Sequence, residues 1–184
     1  MIRRSFAALL FAAFALAALP ALAQSASQWV LDQSSLSYQV VHPMHTVNGT
    51  SHAAKGKGIC QGGVCNFLVA APVKSFGTGD SNRDLHMIET VKGAEFPMVV
   101  LRAQFPQSEL NQDWVHANLE VQFAGQTAHF SNVPFRRTQQ GNQVRIQGTV
   151  PATCSDFNIE RPSFLTVPIK NEIPVTVDAT WHQQ

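Results

Sequence analysis

The sequence predicts an all-β domain of about eight antiparallel strands with one short helix. Three observations point there. Apolar and polar residues alternate with period two in almost every segment, the mark of half-buried strands. Short polar turns such as Ala124-Gly125-Gln126 and Gln139-Gln140-Gly141-Asn142 separate the runs. Only Ser81–Val91 has helical character.

The chain opens with a targeting signal. Arg3 and Arg4 form a positive n-region, Phe6 to Leu19 an apolar h-region, and Ala21-Leu22-Ala23 a small-x-small cleavage site. Residues 1–23 are therefore expected to be a signal peptide, leaving a mature chain that begins at Gln24. The apolar run is shorter than the ~20 residues a membrane-spanning helix needs, and no later segment approaches that length. No cysteine follows the cleavage site to take a lipid anchor. The Arg pair raises twin-arginine export, but so apolar an h-region favours the general secretory route. The expected location is the periplasm. Residues 24–184 suit one domain with a single core. Removing Arg3 and Arg4 from the 13 basic residues leaves one fewer base than the 12 acids. That balance argues against an electrostatic grip on nucleic acid or an anionic membrane.

The first strand places Leu36, Tyr38, Val40 and His42 on one face and Ser35, Ser37, Gln39 and Val41 on the other. Strands follow at Val47–Ile59 and Val64–Val73. Between them Cys60 and Cys65 enclose Gln61-Gly62-Gly63-Val64, with the glycines a hairpin turn needs. Residues flanking such a loop face each other closely enough for a disulfide, which export would preserve. The spacing is not that of a CxxC redox or zinc motif. The helix has Asp80 or Ser81 as its N-cap, with Asp84 available to complete a capping box. Met98–Phe105 is the next strand, and then Val115, Ala117, Leu119, Val121 and Phe123 share a face. Thr127–Arg136 follows, then an inward set of Val144, Ile146, Gly148, Val150, Ala152 and Cys154. Ile173, Val175, Val177, Ala179 and Trp181 point inward from the last strand. Cys154 is left over as an inward free thiol, a small hydrophobe. Such strands can close into a barrel, which removes exposed edges. A two-sheet sandwich has the same local pattern.

Several blocks go beyond alternation. Thr78-Gly79-Asp80-Ser81-Asn82-Arg83-Asp84-Leu85-His86 is followed by Glu95-Phe96-Pro97. Around it lie the opening strand Leu36–His42, Phe123-Ala124-Gly125-Gln126-Thr127, Ser155-Asp156-Phe157 and Ile169-Lys170-Asn171-Glu172-Ile173. In this order they resemble the YceI-like family of small, secreted, lipocalin-like barrels that bind polyisoprenoids and other long-chain lipids. The resemblance implies an eight-stranded antiparallel lipocalin-like β-barrel over residues 24–184 rather than a sandwich. It implies a carrier for an amphiphilic lipid (a polyisoprenoid, an isoprenoid quinone or a fatty-acid derivative), with no cofactor and no chemistry on the ligand. It also allows a homodimer.

The inner faces fit that reading. They are apolar and include small residues, Ala71, Ala103, Ala117, Gly148, Ala152 and Ala179, which leave volume for a ligand. Each buried methylene contributes ~0.8 kcal/mol, so about ten offer ~8 kcal/mol before ordering costs. The expected cavity walls are Tyr38 and Val40, Val69 and Ala71, Leu101, then Ala117, Leu119 and Val121, with Ile146, Val150 and Val177 completing the circuit. His42, Arg83 and His86 are expected at the polar end, where Arg83 could pair with a phosphate or carboxylate or tie the helix to Asp84 or Asp156. The alternative is a periplasmic protein for copper or another soft metal, held by His42, Met44, His45 and His86. Imidazoles and thioethers suit such a metal, although no HxH or HExxH pair is present. An enzyme is not expected. No serine sits in a nucleophile elbow, no glycine-rich phosphate loop follows a strand, and the carboxylates are scattered. Cys154 with a histidine could imitate a thiol dyad, but an apolar inward setting raises a thiol's pKa and makes it inert.

Overall fold

The computed structural model describes residues 26–164 and 166–184, without the side chain of Phe164. The expected signal peptide and its cleavage site lie outside the described residues. The strands are β1 (Ser27–His42), β2 (His45–Ser51), β3 (Lys55–Gln61), β4 (Val64–Pro72), β5 (Met98–Pro106), β6 (Trp114–Phe123), β7 (Gln126–Gln140), β8 (Gln143–Val150), β9 (Ser163–Phe164), β10 (Val167–Pro168) and β11 (Val175–Gln183). The helix α1 spans Ser81–Thr90.

Every pairing is antiparallel, and β11 bonds to both β8 and β1, which closes the sheet on itself. β2 and β3 take successive parts of one edge of β1. Leu36 faces Ser51 and Val30 faces Lys57, the same number of residues further along each strand. They act as one strand interrupted at residues 52–54. The result is a closed eight-stranded barrel with one helix.

The two ends of the barrel differ. At one end lie the tight turns at Gly62-Gly63 and Gly141-Asn142 and the short connection of residues 107–113. At the other lie the β1–β2 hairpin, the crossover carrying α1, the Ala124-Gly125 turn and the long segment from β8 to β11. We call the first end the floor and the second the mouth.

Two bulges change the inward parity that simple alternation predicts. In β1 the register shifts between Leu31 and Gln33. Trp29 and Leu31 therefore point inward with Leu36, Tyr38 and Val40, although their numbers differ in parity from that set. Asp32, the extra residue, accepts from Gln143 Nε2 at 3.2 Å and lies 2.6 Å from His182 Nδ1. In β7 the shift falls opposite Asn118, whose Oδ1 accepts from the Asn132 amide at 3.0 Å while Asn132 sits at φ 56°. Ala128 and Val133 are consequently both buried. The strand expected at Thr127–Arg136 runs on to Gln140, because its polar last residues pair with β8 as far as Gln140 opposite Gln143. β8 ends at Val150, yet Ala152 and Cys154 continue inward through a turn that bridges Thr153 to Glu172.

Asp80 caps α1, accepting from the Asn82 and Arg83 amides at 3.0 and 3.2 Å. Asp84 does not close a capping box. With Asp80 as cap it falls one residue past the position that reaches back, and it accepts instead from the Thr78 amide and hydroxyl at 2.9 and 2.7 Å. This fastens the start of the helix to the loop before it.

Cys60 and Cys65 face each other across β3 and β4, fully buried and joined by a disulfide. Gly62 and Gly63, at φ 62° and 83°, supply the left-handed backbone of the turn. Closing so short a loop removes little chain entropy, so reduction is expected to cost about 2 kcal/mol. The difference between guanidinium unfolding curves with and without a thiol-free reductant measures it.

Candidate ligand-binding cavity

A cavity of about 570 Å³ runs through the barrel. All of the wall positions expected from the sequence line it. Tyr38, Val40, Val69, Leu101, Ile146 and Val177 remain half-buried although they point into the barrel, so open space lies above them. Ala71, Ala117, Leu119, Val121 and Val150 are packed more deeply into the wall. One small residue does not contribute. A Cβ on Gly148 would lie 2.5 Å from the Phe135 ring, so that ring already fills the space the glycine was expected to leave.

The floor is aromatic. β3 presents Gly56, Gly58 and Cys60 to the interior, and neighbouring rings lie over the bare backbone. A Cβ on Gly58 would meet Phe67 at 2.4 Å, and one on Gly56 would meet Trp181 at 2.7 Å. Phe67 stacks on Phe105 at 5.5 Å and meets Trp181 edge-on at 4.9 Å, with Trp29 at 6.4 Å. Of these, Trp181, Phe67 and Phe105 share the parity of the inward sets on β11, β4 and β5, and Trp29 alone breaks it. The bulge at Asp32 hid Trp29, and the run of small inward residues in β3 was the signal that rings from other strands must cover it.

Nearer the mouth an aromatic pair lines the wall. The Tyr38 ring lies on Gly49, where a Cβ would come within 2.3 Å of it, and it is 6.0 Å from Phe76. Burial, and secondarily the charge of Asp84, pushes the Tyr38 phenol above its ordinary pKa. It stays neutral and able to donate.

The mouth carries the polar groups. His45, Arg83, His86 and Ser163 are exposed lining residues drawn from three separate connections. Arg83 pairs with Asp80, Nε to Oδ2 at 3.3 Å, and not with Asp84 or Asp156. Asp156 is engaged by the Thr153 amide at 2.8 Å. The Arg83 and Asn82 amides hold the Asp80 carboxyl below the usual range.

His42 reaches the mouth but is only 5% exposed. Its Nδ1 accepts from the Met44 amide at 3.2 Å, which leaves Nε2 as the proton carrier facing the Val167 carbonyl at 3.2 Å. It therefore ties the β1–β2 hairpin to the β9–β10 ribbon, and Lys170 N–H to Val41 C=O at 2.8 Å adds a second tie.

That arrangement disfavours the metal alternative. Both ring nitrogens of His42 are engaged, and Met44 is 68% exposed beyond the hairpin. His45 stacks at 5.3 Å from His42, but no group of three His, Cys, Asp or Glu residues gathers among the described residues. Cys154 is buried against the cavity, and burial raises its thiol pKa. This is the setting of an inert thiol rather than a nucleophile.

Comparison with known proteins places this architecture. No protein-family model matches the sequence, and neither does any curated protein. Solved structures do match. Burkholderia cenocepacia BcnA superposes with a TM-score of 0.68 at 14% identity, covering 80% of this chain and 95% of that one. A polyisoprenoid binding domain from Saccharophagus degradans, implicated in plant cell wall breakdown, gives 0.67 at 12% identity, covering 85% and 98%. The YCEI protein of Campylobacter jejuni gives 0.50 at 12% identity, covering 65% and 72%. The chain has the YceI-like fold. Alternation leaves barrel and sandwich open, and the ordered set of blocks that resembles the YceI-like family decides for the barrel, as found. In this YceI-like barrel, the Thr78–Pro97 block forms the crossover whose helix supplies Arg83 and His86 to the mouth.

Proposed function

We propose that this protein binds one amphiphilic lipid, a polyisoprenoid, an isoprenoid quinone or a fatty-acid derivative, and carries it through the periplasm. The carrying observation is the apolar lumen itself. Its volume falls within the range of about 300–1,000 Å³ typical of small-molecule sites, and its walls are built almost wholly of aliphatic and aromatic side chains. A hydrocarbon tail buried there gains ~0.8 kcal/mol per methylene, with no polar contact required. Arg83, His86 and the neutral Tyr38 phenol supply donors for an acceptor-bearing head group near the mouth. One structural neighbour is described as a polyisoprenoid binding domain, which supports the choice of ligand class. The Cys60–Cys65 bridge is consistent with an oxidising compartment, and the reading of residues 1–23 as an export signal points the same way. The proposed role is binding without catalysis.

Native mass spectrometry of protein purified from its own cells tests this. A lipid-sized adduct removed by organic extraction is the expected result. A metal-sized adduct removed by chelation would restore the copper reading instead, and an adduct-free protein that takes up no added lipid would refute the carrier role.

A further inference from the structure

The cavity has a built end, and the residues that build it are unusual in what lies behind them. β3 contributes no side chain larger than cysteine to the floor, because its inward positions are Gly56, Gly58 and Cys60. The space that an ordinary strand would fill is taken by the Phe67 ring over Gly58 and by the edge of the Trp181 indole against Gly56. Trp29 and Phe105, 8% and 9% exposed, flank the Phe67 ring. The buried Cys60–Cys65 bridge fixes the β3–β4 pairing at this end of the barrel.

Resting on the lipid reading above, we propose that Phe67 and Trp181 form a length stop that sets the longest tail the cavity accepts. A tail that ends above the rings is fully buried. A longer one must either push a packed ring off its glycine or leave its excess at the mouth in water. Shortening a ring exposes the bare β3 backbone and lengthens the cavity, since no side chain on that strand can replace it. Adding bulk one step above the floor has the opposite effect. Ala103 is suited to this, because it lines the cavity on β5 directly opposite Phe67 and one inward position above Phe105.

The experiment measures binding of all-trans prenols of graded length to the intact mature protein, by displacement of a fluorescent fatty acid. Phe67→Leu and Trp181→Leu are expected to raise the longest accepted prenol by at least an isoprene unit. The first length that the unaltered protein rejects should gain on the order of tenfold in affinity. Ala103→Phe should shift the limit the other way, with a loss on the order of tenfold for the longest prenol normally accepted. Prenols too short to reach the floor should bind all variants alike and so report that each one is folded. If every variant binds short prenols yet keeps the same upper limit, the stop is refuted while the lipid reading stands. If the unaltered protein binds no prenol and no fatty acid, the lipid reading falls and takes the stop with it.

Discussion

Replacing Val177 by Trp is expected to lower lipid affinity about a hundredfold. Val177 is the third residue of β11 from its mouth end, half-buried, with Leu36 facing it on one neighbouring strand and Gly148 on the other. An indole there projects into the lumen and displaces ligand over the length of about four methylenes, ~3 kcal/mol of lost burial. Thr176 is the matched control. It is exposed on the outer face of the same strand, so Thr176→Trp should leave affinity within about twofold, in keeping with the usual neutrality of surface changes. Titration with a fluorescent fatty acid reads both. Equal affinity in the Val177→Trp protein would mean that the ligand does not reach the level of Val177.

The second large effect is on stability. Gly148→Val should destabilise the barrel by about 3 kcal/mol, the upper part of the range for overpacking. A Cβ at this position would lie 2.5 Å from Phe135 Cδ1 and 2.9 Å from the Pro134 carbonyl oxygen. The ring could swing aside, but the backbone carbonyl cannot retreat without disturbing the β7–β8 pairing, where Phe135 faces Gly148. Denaturant midpoints measure the loss. Phe135→Leu in the same chain should recover part of it, since it removes the ring and leaves only the carbonyl conflict. A Gly148→Val protein as stable as the original would mean that the two strands separate more easily than their packing implies.

The contrast between Gly148 and the alanines explains how far sequence could go. Period-two alternation was enough to name the wall, because a strand without a bulge sends every second residue inward. It worked wherever β4, β5, β6, β8 and β11 run regularly. It failed at Asp32 and Asn132, where one extra residue reverses the parity, and so it left Trp29 and Leu31 out of the cavity. It also could not say which small residues leave space and which are covered. Gly148 is covered by Phe135, Gly58 by Phe67 and Gly56 by Trp181, each ring arriving from another strand. The first two coverings depend on the pairing register of a hairpin, Phe135 opposite Gly148 and Phe67 opposite Gly58, and the third joins residues far apart in the chain; period-two alternation encodes neither.

The mouth was legible in part. The helix and its cap followed from local chemistry, and so did the arrival of Arg83 and His86 on a common crossover. The partners of those groups did not. Arg83 reaches back to Asp80 by the i,i+3 geometry of the first helical turn, which outcompetes a distant carboxylate such as Asp156. His42 was placed at the rim by its position at the end of β1, but its tie to Val167 joins residues 125 apart in the chain. Only the folded ribbon brings that carbonyl into reach.

Both described chain ends leave the barrel at the floor. Ser27 pairs beside Cys60, and Gln183 lies opposite Trp29. An affinity tag, fluorophore or surface linker attached at either end would thus hang on the side away from the helix and ribbon. Protein immobilised this way would present its opening outward to a supported bilayer or a droplet, with the attachment chemistry standing clear of any lipid exchange.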